Sequence, residues 1–138
     1  MITSTVKYEG GLRTTCTHVR SGQAINTDAP VDNQGQGSAF SPTDLAATSL
    51  ATCMLTVMGI WARDNQVNMD GASAEITKHM GDNPRRITKI DVILTMPQQN
   101  YSDKEKNILT KIARTCPVAQ SLHPDLEQNI QLVWTDPS

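Results

Sequence analysis

The chain has 138 residues, 38% hydrophobic and 19% charged, which suits one ordinary globular domain spanning residues 1–138 with a real core. A formal net charge of −2 and an isoelectric point near 5.8 give no electrostatic reason to expect nucleic acid or an anionic membrane as partner; a small or neutral substrate is the better expectation. Three cysteines, an odd number without a CxxC pair, argue against a disulfide-stapled secreted scaffold and against a zinc ribbon or finger. The opening residues "MITSTVKYEG" lack the basic start, apolar run and small-residue cleavage site of a signal peptide, so a cytoplasmic location is expected.

Taken in chain order, "TSTVKY" and "RTTCTHV" read as strands, and the Gly10-Gly11 pair between them marks a hairpin turn. A short strand around "QAINTD" follows, then a loop from Pro30 to Gly37 rich in turn-forming residues. Ser41 is a natural N-cap, with Pro42 at the first helical position and Asp44 in the first turn. The helix so begun extends to about Gln66, roughly six or seven turns at 3.6 residues each. Its segment Leu45 to Ala62 carries no formal charge and has nearly the length of a bilayer crossing. The polar Thr48, Ser49, Thr52 and Thr56, with Asp44 and Arg63 at its borders, point instead to the central helix of a compact soluble fold.

Beyond it, "ASAEITKHM" and "RRITKIDVILTMP" alternate in polarity and are expected to form two long antiparallel strands across a turn at Gly81 to Pro84. Ser102 caps a second helix whose Ile108, Leu109, Ile112 and Ala113 recur at helical spacing. A short helix from Pro117 to about His123 and a final strand "NIQLVW" complete the chain.

The stretch "RTCPVAQSLHPD" places a cysteine directly before a helix-starting proline. As N-cap, Cys116 faces the unpaired N–H groups of the first turn, an environment that favours thiolate over thiol. On the stretch alone the other reading is a small apolar side chain packed in the interior. Cys53 lies inside the long helix on the face of Ala46, Leu50, Val57 and Ile60, where burial would keep it a neutral thiol. Cys16, in a strand with Thr14 and His18 on its own face, is read as structural. His18, His79 and His123 lie at no metal-ligand spacing with one another or with the cysteines, so no metal is expected; His123 is read as a helix-terminal histidine favoured by the dipole.

The motifs "SPTDLAATSLATCM" and "TCPVAQSLHPD" together resemble the two cysteine segments of the OsmC/Ohr family, the osmotically inducible and organic hydroperoxide resistance proteins, and the order of elements resembles it along essentially the whole chain. The resemblance implies an α+β fold of antiparallel sheets wrapped around long central helices in an intertwined homodimer. It also implies reduction of organic hydroperoxides, alkyl or fatty-acid, by a peroxidatic Cys53 and a resolving Cys116. No metal or bound cofactor is implied; an external dithiol, in this family often protein-bound lipoamide, would reset the pair. Met54, Met58, Ile60 and Trp61 are the expected apolar pocket. The family's peroxidase branches pair a helix glutamate with an arginine to activate the cysteine. That glutamate position falls on Thr43 here, beside Asp44, and Arg13 and Arg20 are the candidates for the arginine. The chain thus resembles the broader OsmC-like group more than either well-defined peroxidase branch. The alternative expectation is a non-catalytic protein of this fold that binds a small apolar ligand or senses redox state.

Overall fold

The computed structural model describes residues 1–135 and divides into two compact units, the first Met1–Ala46 and the second beginning at Ala47. The first unit is an antiparallel meander of β1 (Ser4–Gly10), β2 (Arg13–His18) and β3 (Ala24–Asp28). Its first hairpin turns through Gly11 and Leu12, both at positive φ (62° and 65°), as the tight turn matching strand twist demands. In register, Val6, Cys16 and Ile25 oppose one another, as do Tyr8, Thr14 and Thr27, so these six side chains share one face. Thr14 and Thr27 are hydrogen-bonded through their hydroxyls.

A loop with one 3-10 turn at Val31–Asn33 leads from β3 to the long helix. It is folded tightly against the strand end: Gly35 N–H donates to Pro30 O, and a Cβ on Gly35 would fall 1.7 Å from Ala29 O. The buried carboxylate of Asp28 closes the loop by accepting from Ser38 N and Ser38 Oγ, at 3.0 and 2.6 Å. Those two bonds, Ser38's hydroxyl first, and the more distant charge of Arg13 hold Asp28 below the usual carboxylate range.

The helix α1 runs Pro42–Asp64, two residues short of the expected end. Its first turn is a reciprocal cap: Asp44 N–H donates to Ser41 Oγ (3.1 Å), and Ser41 N–H donates to Asp44 Oδ2 (3.0 Å). By length and composition α1 qualifies as a membrane span, but Ala47, Leu50, Ala51, Met54, Met58 and Ala62 form a buried stripe in the core of the second unit.

In that unit β4 (Ser73–Gly81) and β5 (Arg86–Gln98) form the expected antiparallel pair. The expectation of antiparallel sheets needs one correction: β6 (Glu127–Thr135) runs parallel to β5, giving the order β4-β5-β6. The two helices α2 (Asp103–Arg114) and α3 (Pro117–Ser121) lie between β5 and β6 in sequence and supply the crossover that a parallel pair needs, where a tight turn would have reversed the strand. Ile90, Val92, Leu94 and Met96 alternate along β5 and are all buried; Leu109 and Ala113 of α2 and Ile130 of β6 join the same core. Each such side chain stabilises the fold by about 1.5–3 kcal/mol when fully buried. At the start of α2, Ser102 and Glu105 form the full capping box, at 2.8 and 3.1 Å. The buried Tyr101 donates its hydroxyl to Asn68 O (2.7 Å) and meets Trp134 edge-on at 5.4 Å, joining the loop after α1 to β6.

The sheet's other face combines exposed Ile93 and Val133 with a bonded polar cluster. Asp91 accepts from His79 Nε2 at 2.6 Å and from Asn129 Nδ2 at 3.0 Å, linking all three strands. His79 first, then Asn129, holds the Asp91 carboxyl below its usual range.

Candidate functional site

The segment that carries Cys116 is built by two helices meeting almost end to end. The helix α2 stops at Arg114, Thr115 is its C-cap, and Cys116 takes extended dihedrals (φ −65°, ψ 158°) as N-cap of α3, with Pro117 at the first helical position. Proline is favoured there because its missing N–H belongs to a turn without internal acceptors. The Cys116 carbonyl accepts the first helical bond, from Gln120 N–H at 3.0 Å. The side chain points inward: Cys116 is 1% exposed and belongs to the core that includes Leu109 and Ala113.

Cys53 is placed differently from the sequence expectation. The fully buried stripe of α1 runs through Leu50, Met54 and Met58, so Cys53 sits at its margin, half-buried, with Thr52 and Thr56 on the exposed side. Ala46 and Ile60, expected on its face and in the interior, are exposed. A helical face read from spacing alone does not say where the sheet's coverage ends.

The fold brings these two sulfurs together. Cys53 packs against the core that contains Cys116 and is close enough to act on its thiol, and both are free cysteines. Burial pushes the Cys116 thiol up from its ordinary value, and the neighbouring Cys53 pushes it further. The N–H groups of Ala119 and Val118 face its sulfur without closing a capping bond and pull the other way. The expected helix-start thiolate is therefore corrected: a five-residue helix offers too few aligned peptide dipoles to offset desolvation. Burial thus favours the thiol form of Cys116.

The remaining expected site residues scatter. Met54 and Met58 are core side chains at 0% exposure, Trp61 is half-buried and Ile60 is 47% exposed. Within the chain the four thus differ in exposure, the methionines in the core and Ile60 on a different side of the helix. Asp44 is engaged in the helix cap, and Thr43, at the family's glutamate position, has its hydroxyl 3.3 Å from Ser41 Oγ. Arg13 and Arg20 are exposed side chains of the first unit, Arg13 lending its charge to Asp28. Cys16 sits on the first sheet with its sulfur 3.8 Å from Thr14 Oγ1. His123 lies beyond α3, not at its end, and accepts Asp125 N–H at Nδ1 (3.0 Å). Among the described residues, no three or more His, Cys, Asp or Glu side chains are gathered to hold a metal ion. Asp28 and the His79–Asp91–Asn129 network were not legible in advance; an aspartate at a strand end or mid-strand is common, and only register and loop closure disclose its partners.

The family model described as OsmC-like protein matches residues 35–131, a span that includes both cysteines. A Psychrobacter arcticus crystal structure, of a protein described by osmotic stress induction and a detoxification response, is 52% identical over 96% of each chain, with a TM-score of 0.92. A Legionella pneumophila organic hydroperoxide resistance protein is 16% identical over 98% of each chain, with a TM-score of 0.71. A Vibrio cholerae protein assigned to organic hydroperoxide resistance, with captopril in one of its active sites, is 17% identical, with a TM-score of 0.69 over 97% of this chain and 92% of that one. No curated protein matches.

Proposed function

The chain belongs to the OsmC-like protein family, and we propose that within it the chain is a thiol-dependent reductase of organic hydroperoxides, with Cys53 peroxidatic and Cys116 resolving. The single observation that carries this reading is that the fold packs Cys53 against the core that holds Cys116, two cysteines 63 residues apart in sequence made neighbours. A peroxidatic sulfur must be open to substrate, and Cys53 is half-buried at the helix margin; a resolving sulfur must wait as a thiol beside it, as Cys116 does. The organic hydroperoxide resistance proteins among the structural neighbours support the substrate class.

The steps follow from the chemistry of cysteine. The Cys53 thiolate attacks the distal peroxide oxygen, the O–O bond breaks, and the alkoxide takes a proton to leave as alcohol. Cys53 is then a sulfenic acid, and the Cys116 thiol condenses with it to a disulfide with loss of water. An external dithiol, such as protein-bound lipoamide, returns the pair to two thiols. The cycle needs neither metal nor bound cofactor, and a cytoplasmic location fits thiols that must be kept reduced.

A homodimer is part of the reading. The helix α1 has a mean hydropathy of 1.6 over its most apolar window, of which only 33% is buried within the chain. Val6, Tyr8 and Ile25 share one uncovered sheet face at 65, 64 and 47% exposure. Apolar surface of this extent on two elements is what a second copy would cover.

A second reading, an OsmC-fold protein that binds a small apolar ligand or senses redox state, is favoured by Thr43 at the usual glutamate position and by Asp44's engagement in the cap. Brief exposure of reduced protein to one equivalent of cumene hydroperoxide, followed by peptide mass spectrometry, separates the two. The first reading expects a loss of about two mass units per chain and a Cys53–Cys116 link, with turnover abolished in Cys53→Ser. Unchanged turnover in that variant, or thiols that stay reduced, supports the second.

A further inference from the structure

Resting on the cysteine-pair reading above, we propose that Gln128 of β6 is a positioning residue for the resolving thiol: its side-chain amide, bonded to Ala119 O, holds α3 in place and so keeps Cys116 where it can close on Cys53.

Leu126, Gln128, Ile130, Leu132 and Trp134 recur at every second position, so they share one side of the strand. The four apolar ones belong to the core of the second unit or pack against it, and Gln128 interrupts their row while half-buried itself. An amide in such a row is destabilising unless it is bonded, and Gln128 Nε2 donates to Ala119 O at 3.0 Å. That carbonyl lies among the last of α3, which ends at Ser121, and the final carbonyls of a helix have no internal donor. One bond thus satisfies both a polar side chain in an apolar row and the end of a helix.

The helix α3 depends on such a bond. Its five residues are far below the length at which an isolated helix persists, roughly 12–15 residues. Its N-cap is Cys116, and the N–H of Ala119, the residue whose carbonyl Gln128 takes, faces the Cys116 sulfur. On the other side of Cys116 in sequence, Arg114 Nη2 donates to Ile130 O at 3.2 Å. The junction of α2 and α3 is therefore tied to β6 both before and after the cysteine.

In the resolving step Cys116 Sγ attacks the sulfenic sulfur of Cys53. The S–S bond forms as the S–O bond breaks, and the departing hydroxide leaves with the Cys116 proton as water. The step is intramolecular, so its rate depends on where the attacking sulfur is held; a displacement of about 1 Å can cost about 100-fold. Without the Gln128 bond the sulfenic acid on Cys53 persists longer.

The test is a single turnover. Reduced Cys16→Ser protein meets one equivalent of cumene hydroperoxide in the presence of dimedone, which traps sulfenic acid, and peptide mapping weighs the Cys53–Cys116 disulfide against the dimedone adduct of Cys53. That ratio reads resolution whatever the rate of the first step. Gln128→Leu completes the apolar row but has no donor, and is expected to shift the ratio toward the adduct by about tenfold. Gln128→Glu has nearly the same size but no N–H, and is expected to shift it in the same direction at neutral pH. An unchanged ratio in Gln128→Leu overturns the proposal and leaves the cysteine pair intact. So does a wild-type ratio in Gln128→Glu, because the size of the side chain and not its bond would then matter. A lowered unfolding midpoint with no shift in the ratio marks Gln128 as merely structural and overturns the proposal too. Absence of any Cys53–Cys116 disulfide in the Cys16→Ser protein itself overturns the pair reading, and the role of Gln128 with it. As a second measure without peroxide, titration against glutathione is expected to show the pair's disulfide less favoured by about tenfold in both variants, equivalent to about 30 mV; equal potentials count against the proposal.

Discussion

The two three-stranded sheets of this chain solve the same problem differently. In the β4-β5-β6 sheet, the alternating face of Ile90, Val92, Leu94 and Met96 is completely buried in a core it shares with α1 and α2. In the β1-β2-β3 sheet, Val6, Tyr8 and Ile25 occupy the corresponding face and remain about half exposed or more, and every buried hydrophobic side chain belongs to residue 47 or later. Both sheets have the alternation that marks a strand with one apolar side. What separates them is the crossover: a parallel β5–β6 pair requires intervening helices, whereas the meander returns through tight turns and brings nothing to pack on itself. The second unit carries its own core, and the first presents a face for something else to cover.

This contrast can be broken most forcefully in the core. Leu94→Ala is expected to cost about 2–5 kcal/mol in urea unfolding of the reduced protein, as large-to-small changes at fully buried sites do. Ile25→Ala, by contrast, is expected to cost little in the isolated chain, and, on the homodimer proposed above, more as protein concentration rises. An equal loss for both variants at all concentrations would show that the first sheet is buried within the chain after all. A smaller effect is expected from Ser102→Ala, which removes the capping box of α2 at about 1 kcal/mol; the drop in helical circular dichroism midpoint on heating measures it.

The subtlest test uses protons. Asp28 in the first unit and Asp91 in the second are both held below the ordinary carboxylate value of 3.8. A depressed folded-state value means that the unfolded chain binds the proton more readily. The stabilisation is therefore fully present above pH 3.8 and is lost as pH falls through the lower folded values. Asp28→Asn and Asp91→Asn are each expected to flatten the fall in unfolding midpoint below about pH 4, where the depressed carboxylates take up their protons. A wild-type slope in either variant would mean that its bonds, Ser38 for Asp28 or His79 for Asp91, do not favour the ionised form.

Local signals carried much of the architecture. Alternation marked β4 and β5, Ser41-Pro42 and Ser102 marked the starts of α1 and α2, and Pro117 marked α3, because strand alternation and capping act over a few residues. The helix ends were less legible: α1 stopped at Asp64 and α3 at Ser121, since the end of a helix depends on what the following chain packs against. For the candidate site, the two cysteine motifs were readable, but the apolar pocket was not. Helical spacing groups Met54 with Met58 without saying that a sheet lies over them. Which of the two readings of Cys116 holds is not legible locally for a related reason. A helix start is visible in the letters, while the desolvation that outweighs it comes from side chains distant in sequence.

By itself, then, the sequence determined the elements, the caps that begin the helices and the two cysteine motifs, because each rests on residues within a turn or a strand of one another. Only the tertiary structure decided that β6 runs parallel to β5, that Cys116 is buried while Cys53 is half-buried, and that the two cysteines are neighbours in one core. Those facts depend on which surfaces meet across long stretches of chain, and burial and in-line approach are properties of the packed arrangement, not of any segment in it.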